Sequence, residues 1–245
     1  MSTTINARQV LDFALLQSAA ECYFNSPDLL SDTAYIQRQL SIGNNDPDKL
    51  GLSPNSALLP GATRFTTQQA QWFTANYKII THYPNDNSGF SATLFQNIHT
   101  GEYTLSFRST EYQLQDRGGD YERDGPDGAD GDISDRGFGL AQLSSMEEFY
   151  RHLKEGEIFN AATRQWEKNP AADAFVGNTP TLNVTGYSLG AHLASSFTLM
   201  HTDDIAGTWT FNAAGLGGIP QGNNENTAPT GGGIRALIDP MKKAA

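Results

Sequence analysis

The feature that most constrains the fold is a strand-like run that passes directly into a helix-like run. Residues 181–187, TLNVTGY, form a short apolar β-type segment, and residues 188–200, SLGAHLASSFTLM, have a helical pattern. A further apolar segment, GTWTFNAAG at 207–215, predicts another strand. Strand, helix and strand in that order predict a parallel α/β sheet.

The rest of the chain supplies further elements of both kinds. The other predicted elements are strands at 77–83, 89–97 and 102–107 and helices at 6–24, 66–77 and 137–157. Stretches rich in Gly, Asn and Pro at 42–62 and 215–233 predict loops. We therefore predict one α/β domain over residues 1–245, with a mainly parallel sheet and helices on both faces.

Composition excludes several classes of partner. The net charge of −11 repels phosphate backbones, which argues against nucleic acid, and gives no attraction to anionic lipid. The single cysteine, Cys22, predicts a small buried side chain and allows no intrachain disulfide. The N-terminus lacks a signal peptide pattern, and its apolar run is too short to span a bilayer. Residues 174–202 carry no formal charge, but Asn178, Pro180, Asn183 and Gly186 argue against a membrane helix there. Cytoplasmic location and export without an N-terminal signal both remain open.

The junction at residue 188 has the pattern G-x-S-x-G. Ser188 lies between Gly186 and Gly190, after a predicted strand and before a predicted helix. In that context the pattern predicts a tight, strained turn that exposes the serine hydroxyl, with glycines where strand and helix approach closely. Helix N-terminal amides, beginning with that of Leu189, then face the space beside the hydroxyl. The alternative is an ordinary glycine-flanked turn in which Ser188 caps the helix.

These residues carry a family resemblance. LNVTGYSLGAHLA, with YTLSFRST some 80 residues earlier and TWTFNAAG afterwards, resembles the class 3 (fungal-type) lipases of the α/β-hydrolase fold. More narrowly, it is similar to bacterial members, many of which continue into calcium-binding repeats. The resemblance covers roughly residues 66–215. It implies an α/β-hydrolase-like fold and hydrolysis of lipid or small ester substrates through a serine acyl-enzyme.

The resemblance also implies a second oxyanion donor. In the family, the strand before the first crossover ends in Phe-Arg-Gly-Thr or Phe-Arg-Gly-Ser, and here the run is Phe107-Arg108-Ser109-Thr110. Thr110 is therefore the candidate donor beside Leu189, the alternative being a threonine in a plain turn. Ser109 replaces the family glycine, which would introduce strain if that position needs a positive φ. Arg108 is expected to form a structural ion pair.

The segment 116–135 concentrates negative charge. It holds eight carboxylates, two arginines and five glycines, and it lies where such folds place lids and substrate loops. We interpret it as a solvated loop or lid without metal, or as a Ca²⁺ site, although its spacing matches neither an EF-hand nor the nonapeptide repeat. The candidate Ca²⁺ ligands are Asp124, Asp127, Asp130 and Asp132.

The acid and the histidine that such a hydrolase needs beside its serine are less evident in this sequence. Chain order in such hydrolases is Ser, then Asp, then His, and Asp239 is the candidate acid, with a helix over 234–241 as the rival interpretation. No histidine follows it, and the five histidines are expected to be structural: His82, His99, His152, His192 and His201. The expectation is an N-terminal portion of a longer chain that lacks the C-terminal part of its fold. The alternative function is a non-catalytic hydrolase-like module that binds calcium through 116–135.

Overall fold

The computed structural model describes most of the chain. The described residues are 6–44, 64–111, 114–117, 119–177 and 180–216. The strands are β1 (Tyr77–Tyr83), β2 (Ala92–Asn97), β3 (Tyr103–Phe107), β4 (Glu157–Asn160), β5 (Gln165–Lys168), β6 (Leu182–Tyr187) and β7 (Ile205–Phe211). The α-helices are α1 (Ala7–Ala20), α2 (Thr33–Ile42), α3 (Thr67–Asn76), α4 (Tyr121–Asp124), α5 (Ala129–Arg136), α6 (Leu140–Lys154) and α7 (Leu189–Met200).

Five strands form the main sheet in the order β1-β2-β3-β6-β7. The pairs β1/β2 and β2/β3 are antiparallel, whereas β3/β6 and β6/β7 are parallel. The prediction of a mainly parallel sheet was therefore wrong, because the described sheet is mixed. The physical reason is the short connections between β1, β2 and β3, since a few residues can join antiparallel neighbours but cannot form a parallel crossover. The α/β class itself is confirmed.

Helices cover both faces of this sheet. Neighbouring residues of β2 point to opposite sides, with Leu94 in one buried cluster and Phe95 in the other. The first cluster contains the apolar faces of α6 and α7, and the second contains those of α1, α2 and α3. The predicted helices were confirmed in position. Thr66 caps α3, and its side chain pairs reciprocally with Gln69 at the start of that helix.

Three regions of regular structure were not predicted from the sequence. Helix α2 was not predicted, although the Asp32 carboxylate caps it. The small β4/β5 sheet was also missed; it packs through Trp166, whose ring stacks on His152 at 4.1 Å between centroids. The segment 116–135 was predicted as loop, but it contains α4 and α5. Asp130 and Asp132 lie in the first turn of α5, where negative charge favours a helix.

No helix in the described ranges combines the length and the apolar character that crossing a bilayer requires.

Candidate active site

Ser188 occupies the turn between β6 and α7 in a strained conformation. Its φ is 48° and its ψ is −114°, which is rarely adopted by residues other than glycine. Its backbone is fixed on both sides, because its N–H donates to Phe211 O at 3.0 Å and its carbonyl accepts from the His192 N–H at 3.1 Å. The side chain makes no capping hydrogen bond. The interpretation of Ser188 as an ordinary helix cap is therefore wrong.

The two flanking glycines are required by close backbone approach. A Cβ atom on Gly186 would lie 2.3 Å from Gly190 O, and a Cβ on Gly190 would lie 2.3 Å from Phe107 O. Both distances are far inside van der Waals contact, and both neighbours are backbone atoms. The first turn of α7 is thus seated directly on the ends of β6 and β3, and this seating holds the Ser188 turn in place.

The same contact brings the two candidate oxyanion donors to one edge of the sheet. Strands β3 and β6 run parallel with Phe107 paired to Gly186, so Thr110 and Ser188 both follow at the carboxyl ends of adjacent strands. Leu189 is the first residue of α7. Within the described residues, the backbone N–H groups of Thr110 and Leu189 have no hydrogen-bond acceptor. The arrangement therefore leaves two donors at the edge that carries the serine.

Helix α5 packs against this edge. Ala129 and Ile133 form a small buried cluster with Leu189, and the Thr110 hydroxyl donates to Asp130 Oδ2 at 2.8 Å. Burial raises the pKa of Asp130, and the hydrogen bond from Thr110 opposes that rise. The acidic segment thus contributes an apolar contact and one carboxylate to the immediate surroundings of the Ser188 turn.

Arg108 forms the buried ion pair that the sequence analysis expected. Its Nη1 lies 2.8 Å from Glu111 Oε1, and both side chains are almost fully buried. The guanidinium also donates to Asn85 Oδ1 and to two backbone carbonyls at the end of α1, those of Ala20 and Cys22. Cys22 is buried, as predicted. This network connects the N-terminal helix to the residues that follow β3.

Ser109 does not need the conformation that only glycine adopts easily. Within the described residues, the non-glycine positions with positive φ are Arg164, Ser188 and Asn212, so the replacement at Ser109 introduces no such strain. Its N–H donates instead to Glu21 Oε1 at 3.0 Å. Glu21 was not identified from sequence, although a lone acid inside the apolar run AAECYF was the available signal.

Each histidine has a hydrogen-bond partner other than Ser188. The partners are Thr93 for His82, the Ala75 carbonyl for His99, Glu157 for His152, the Gly215 carbonyl for His192 and Glu147 for His201. In this arrangement, none of the five is bonded to the serine hydroxyl.

His192 is the histidine nearest to Ser188 along the chain, one turn into α7. Its Nδ1 lies 2.6 Å from the Gly215 carbonyl, which requires Nδ1 to carry the proton, and its Nε2 then accepts the Gly139 N–H at 3.5 Å. Burial lowers its pKa, which favours the neutral form of the ring. With both nitrogens in use, His192 joins two loops and has no free lone pair for the Ser188 proton.

The four candidate Ca²⁺ ligands do not form a cluster in the described part of the chain. Asp239 lies outside the described residues. No three of the four candidate Ca²⁺ ligands bring oxygens within 4.8 Å of one another; in the described ranges the group that does so is His152, Glu155 and Glu157. Its two carboxylates already pair with cations, Arg151 with Glu155 and Lys168 with Glu157.

A pair of buried carboxylates lies beside the Arg108 network. A Cβ added at Gly89 would lie 2.9 Å from Asp120 Oδ2 and 2.6 Å from Asp124 Oδ1, and the Oδ2 of Asp120 has no hydrogen-bond partner among the described residues. Burial raises the pKa of Asp120 to about 7 and that of Asp124 to about 9, and the mutual repulsion of the two groups adds to the rise for Asp124. Burial likewise raises the pKa of Glu21 to about 8.

The raised pKa values of these three carboxyl groups predict that the free energy of unfolding falls as the pH rises from 6 to 8.5. The folded protein retains protons that the unfolded chain, with carboxyl pKa values near 4, has already lost. Stability from the raised pKa values is complete below about pH 4 and is lost as the pH rises through 7 to 9. We expect the free energy of unfolding to be lower at pH 8.5 than at pH 6 by about 3 kcal/mol or more, measured by urea denaturation in EDTA.

The variant Asp120→Asn should flatten that dependence, because it removes one of the buried charges. Asp116→Asn changes an exposed carboxylate in the same segment and should leave the dependence unaltered. A wild-type stability that increases between pH 6 and 8.5 would contradict the assignment.

Comparison with known proteins gives no assignment for this site: no family model, no curated protein and no solved structure matches the chain.

Proposed function

We propose that the chain is a serine ester hydrolase of the α/β-hydrolase type, similar to the class 3 lipases, with Ser188 as its nucleophile. The observation that carries the proposal is the conformation of Ser188. A positive φ in a non-glycine residue, at a strand-to-helix turn closed by two essential glycines, is costly, and such strain is retained chiefly at functional sites. The uncapped hydroxyl is consistent with a reactive rather than a structural role.

The proposed reaction is acyl transfer through Ser188. The hydroxyl oxygen attacks the ester carbonyl carbon while its proton passes to a base, and the carbonyl oxygen becomes an oxyanion. The N–H groups of Leu189 and Thr110 stabilise that oxyanion, helped by the N-terminal end of α7. The base then returns the proton to the alcohol oxygen as the C–O bond breaks, which leaves an acyl-enzyme. Water repeats the sequence on the acyl-enzyme, which releases the acid and restores the Ser188 hydroxyl. Asp239 is proposed as the acid that orients the base.

Lipid-like esters are the proposed substrate class, on the strength of the resemblance. The apolar cluster of Ala129, Ile133 and Leu189 beside the serine supports acyl chains over charged groups. A series of p-nitrophenyl esters from acetate to dodecanoate would test the preference, since a lipid-type site gains rate with chain length.

The direct test is Ser188-dependent acylation. The 245-residue chain is mixed with p-nitrophenyl ester and free imidazole, which supplies a proton acceptor independent of the five internally bonded histidines. We expect a burst of p-nitrophenolate equimolar with protein, and covalent labelling of Ser188 by a fluorophosphonate. Both should vanish in Ser188→Ala, because no other group occupies the turn.

Ser195→Ala is the matched control. Ser195 lies on the same helix, and its hydroxyl bonds to the Ala191 carbonyl, so its removal should leave burst and labelling intact. A burst that persists in Ser188→Ala would contradict the proposal.

The second candidate function is a non-catalytic hydrolase-like module. It is favoured by the histidines, all of which have partners away from Ser188. A chain whose Ser188 resists the fluorophosphonate with and without imidazole, while remaining folded, would establish this alternative.

A further inference from the structure

The backbone N–H groups of Ser109, Thr110 and Glu111, which follow β3, differ in whether they donate a hydrogen bond. The Ser109 N–H donates to Glu21 Oε1 at 3.0 Å, and the Glu111 N–H donates to Asp124 Oδ2 at 3.1 Å. Between them, the Thr110 N–H has no acceptor within the described residues. A carboxyl oxygen therefore accepts from the amide on each side of the proposed oxyanion donor.

This pattern fixes the orientation of the middle amide. The Thr110 N–H belongs to the peptide plane between residues 109 and 110, and planar peptides leave only φ and ψ free between neighbours. Because the preceding and following planes are both held by hydrogen bonds, the middle plane can turn only about the line between the Ser109 and Thr110 Cα atoms, through a paired change of ψ at Ser109 and φ at Thr110. The two carboxyl groups thus fix both ends of the peptide that carries the Thr110 N–H, and they restrict its motion to this single rotation.

The acceptors come from distant parts of the chain and are themselves fixed. Glu21 follows α1, and Arg108 donates to the carbonyls on both sides of it, those of Ala20 and Cys22. Asp124 ends α4, and its other oxygen accepts from Gln142 Nε2 at 2.7 Å. Both carboxylates are buried, Glu21 at 3% and Asp124 at 1% exposure. Burying acids at this cost is unusual unless they serve a specific role.

We propose that Glu21 and Asp124 are positioning residues that aim the Thr110 N–H at the oxyanion formed on Ser188. This inference rests on the proposed function, since it assigns a role within that reaction. Neither carboxylate touches substrate; each acts through the backbone of the residue it binds. An accurately placed donor contributes chiefly to the transition state, because the oxyanion exists only there.

The test compares a variant that lacks the hydrogen-bond acceptor at position 21 with a variant that retains one. Glu21→Ala removes the acceptor of the Ser109 N–H, whereas Glu21→Gln retains an amide oxygen at the same place. The readout is the fluorophosphonate labelling rate of Ser188 in imidazole buffer, separated into reagent affinity and maximal rate. We expect Glu21→Ala to lower the maximal rate roughly tenfold to hundredfold with little change in affinity, and Glu21→Gln to remain close to wild type.

Further variants keep the test decisive. Asp124→Ala should reproduce the loss, so the inference remains testable if Glu21→Ala does not fold. Glu122→Ala is the control, because this exposed carboxylate accepts the Gln115 N–H at 2.8 Å away from β3. Thermal denaturation reports the folded fraction of each variant. Folded Glu21→Ala and Asp124→Ala that label at the wild-type rate would overturn the inference.

Amide hydrogen exchange provides a readout independent of activity. Protection of the Ser109 N–H should fall in Glu21→Ala and persist in Glu21→Gln. If wild-type Ser188 is not labelled at all, the proposed function fails, and the positioning role fails with it. Unchanged Ser109 protection in Glu21→Ala, beside a labelled wild type, would overturn the positioning role only.

Discussion

Gly190→Ala is expected to lower the free energy of unfolding by about 3 kcal/mol or more and to abolish labelling of Ser188. The added Cβ would lie 2.3 Å from Phe107 O and 2.9 Å from Arg108 O. These are backbone atoms at the end of β3, so no rotamer change can relieve the overlap. The helix α7 must move away from β3, which separates the Leu189 amide from Thr110 and disrupts the proposed oxyanion site.

Gly101→Ala is the control for this prediction. Gly101 has a φ of 77° and nothing within 4 Å of the added Cβ, so the substitution introduces only backbone strain. We expect a loss of about 1 kcal/mol there, with labelling of Ser188 unchanged. Urea denaturation measures the stability loss in both variants, and fluorophosphonate labelling measures the reactivity of Ser188 in each. Equal stability losses in the two variants would mean that close approach at Gly190 is not what stabilises the turn.

Arg108→Met is expected to cost about 3–5 kcal/mol, which is comparable with the total stability of many domains. The substitution leaves Glu111 charged and buried with its ion pair gone, and it orphans the carbonyls of Ala20 and Cys22. The expected result in urea is a large decrease in the denaturation midpoint, or a chain that is unfolded without denaturant. The double variant Arg108→Met/Glu111→Leu should recover part of the loss, because the uncompensated charge is removed.

Arg151→Met provides the comparison at the surface. Arg151 pairs with Glu155 at 2.9 Å, but both side chains are about half exposed. Water already solvates such a pair well, so the loss should be below about 1 kcal/mol. A similar small effect for Arg108→Met would show that the network does not connect α1 to β3 energetically.

The local elements were largely predictable because their signals are local. The run around Gly186, Ser188 and Gly190 predicted a strand, a tight turn and a helix, and the structure has all three in that order. The prediction of a loop over residues 116–135 failed because the decisive contacts are not local. Its glycines and charges favour loop locally, and α5 forms there because Ala129 and Ile133 gain burial against Leu189, a residue more than fifty positions away.

The sequence by itself determined the Ser188 turn and the α/β class, because both depend on short-range sterics and on apolar periodicity. Only the tertiary structure decided the mixed direction of the sheet and the surroundings of Thr110. The partners of that segment are Glu21, which directly follows α1, and Asp124, the last residue of α4, and no spacing rule relates them to β3. Pairing across such separations depends on how the chain packs as a whole, since burial and hydrogen bonding between distant segments decide which of many compatible partners meet.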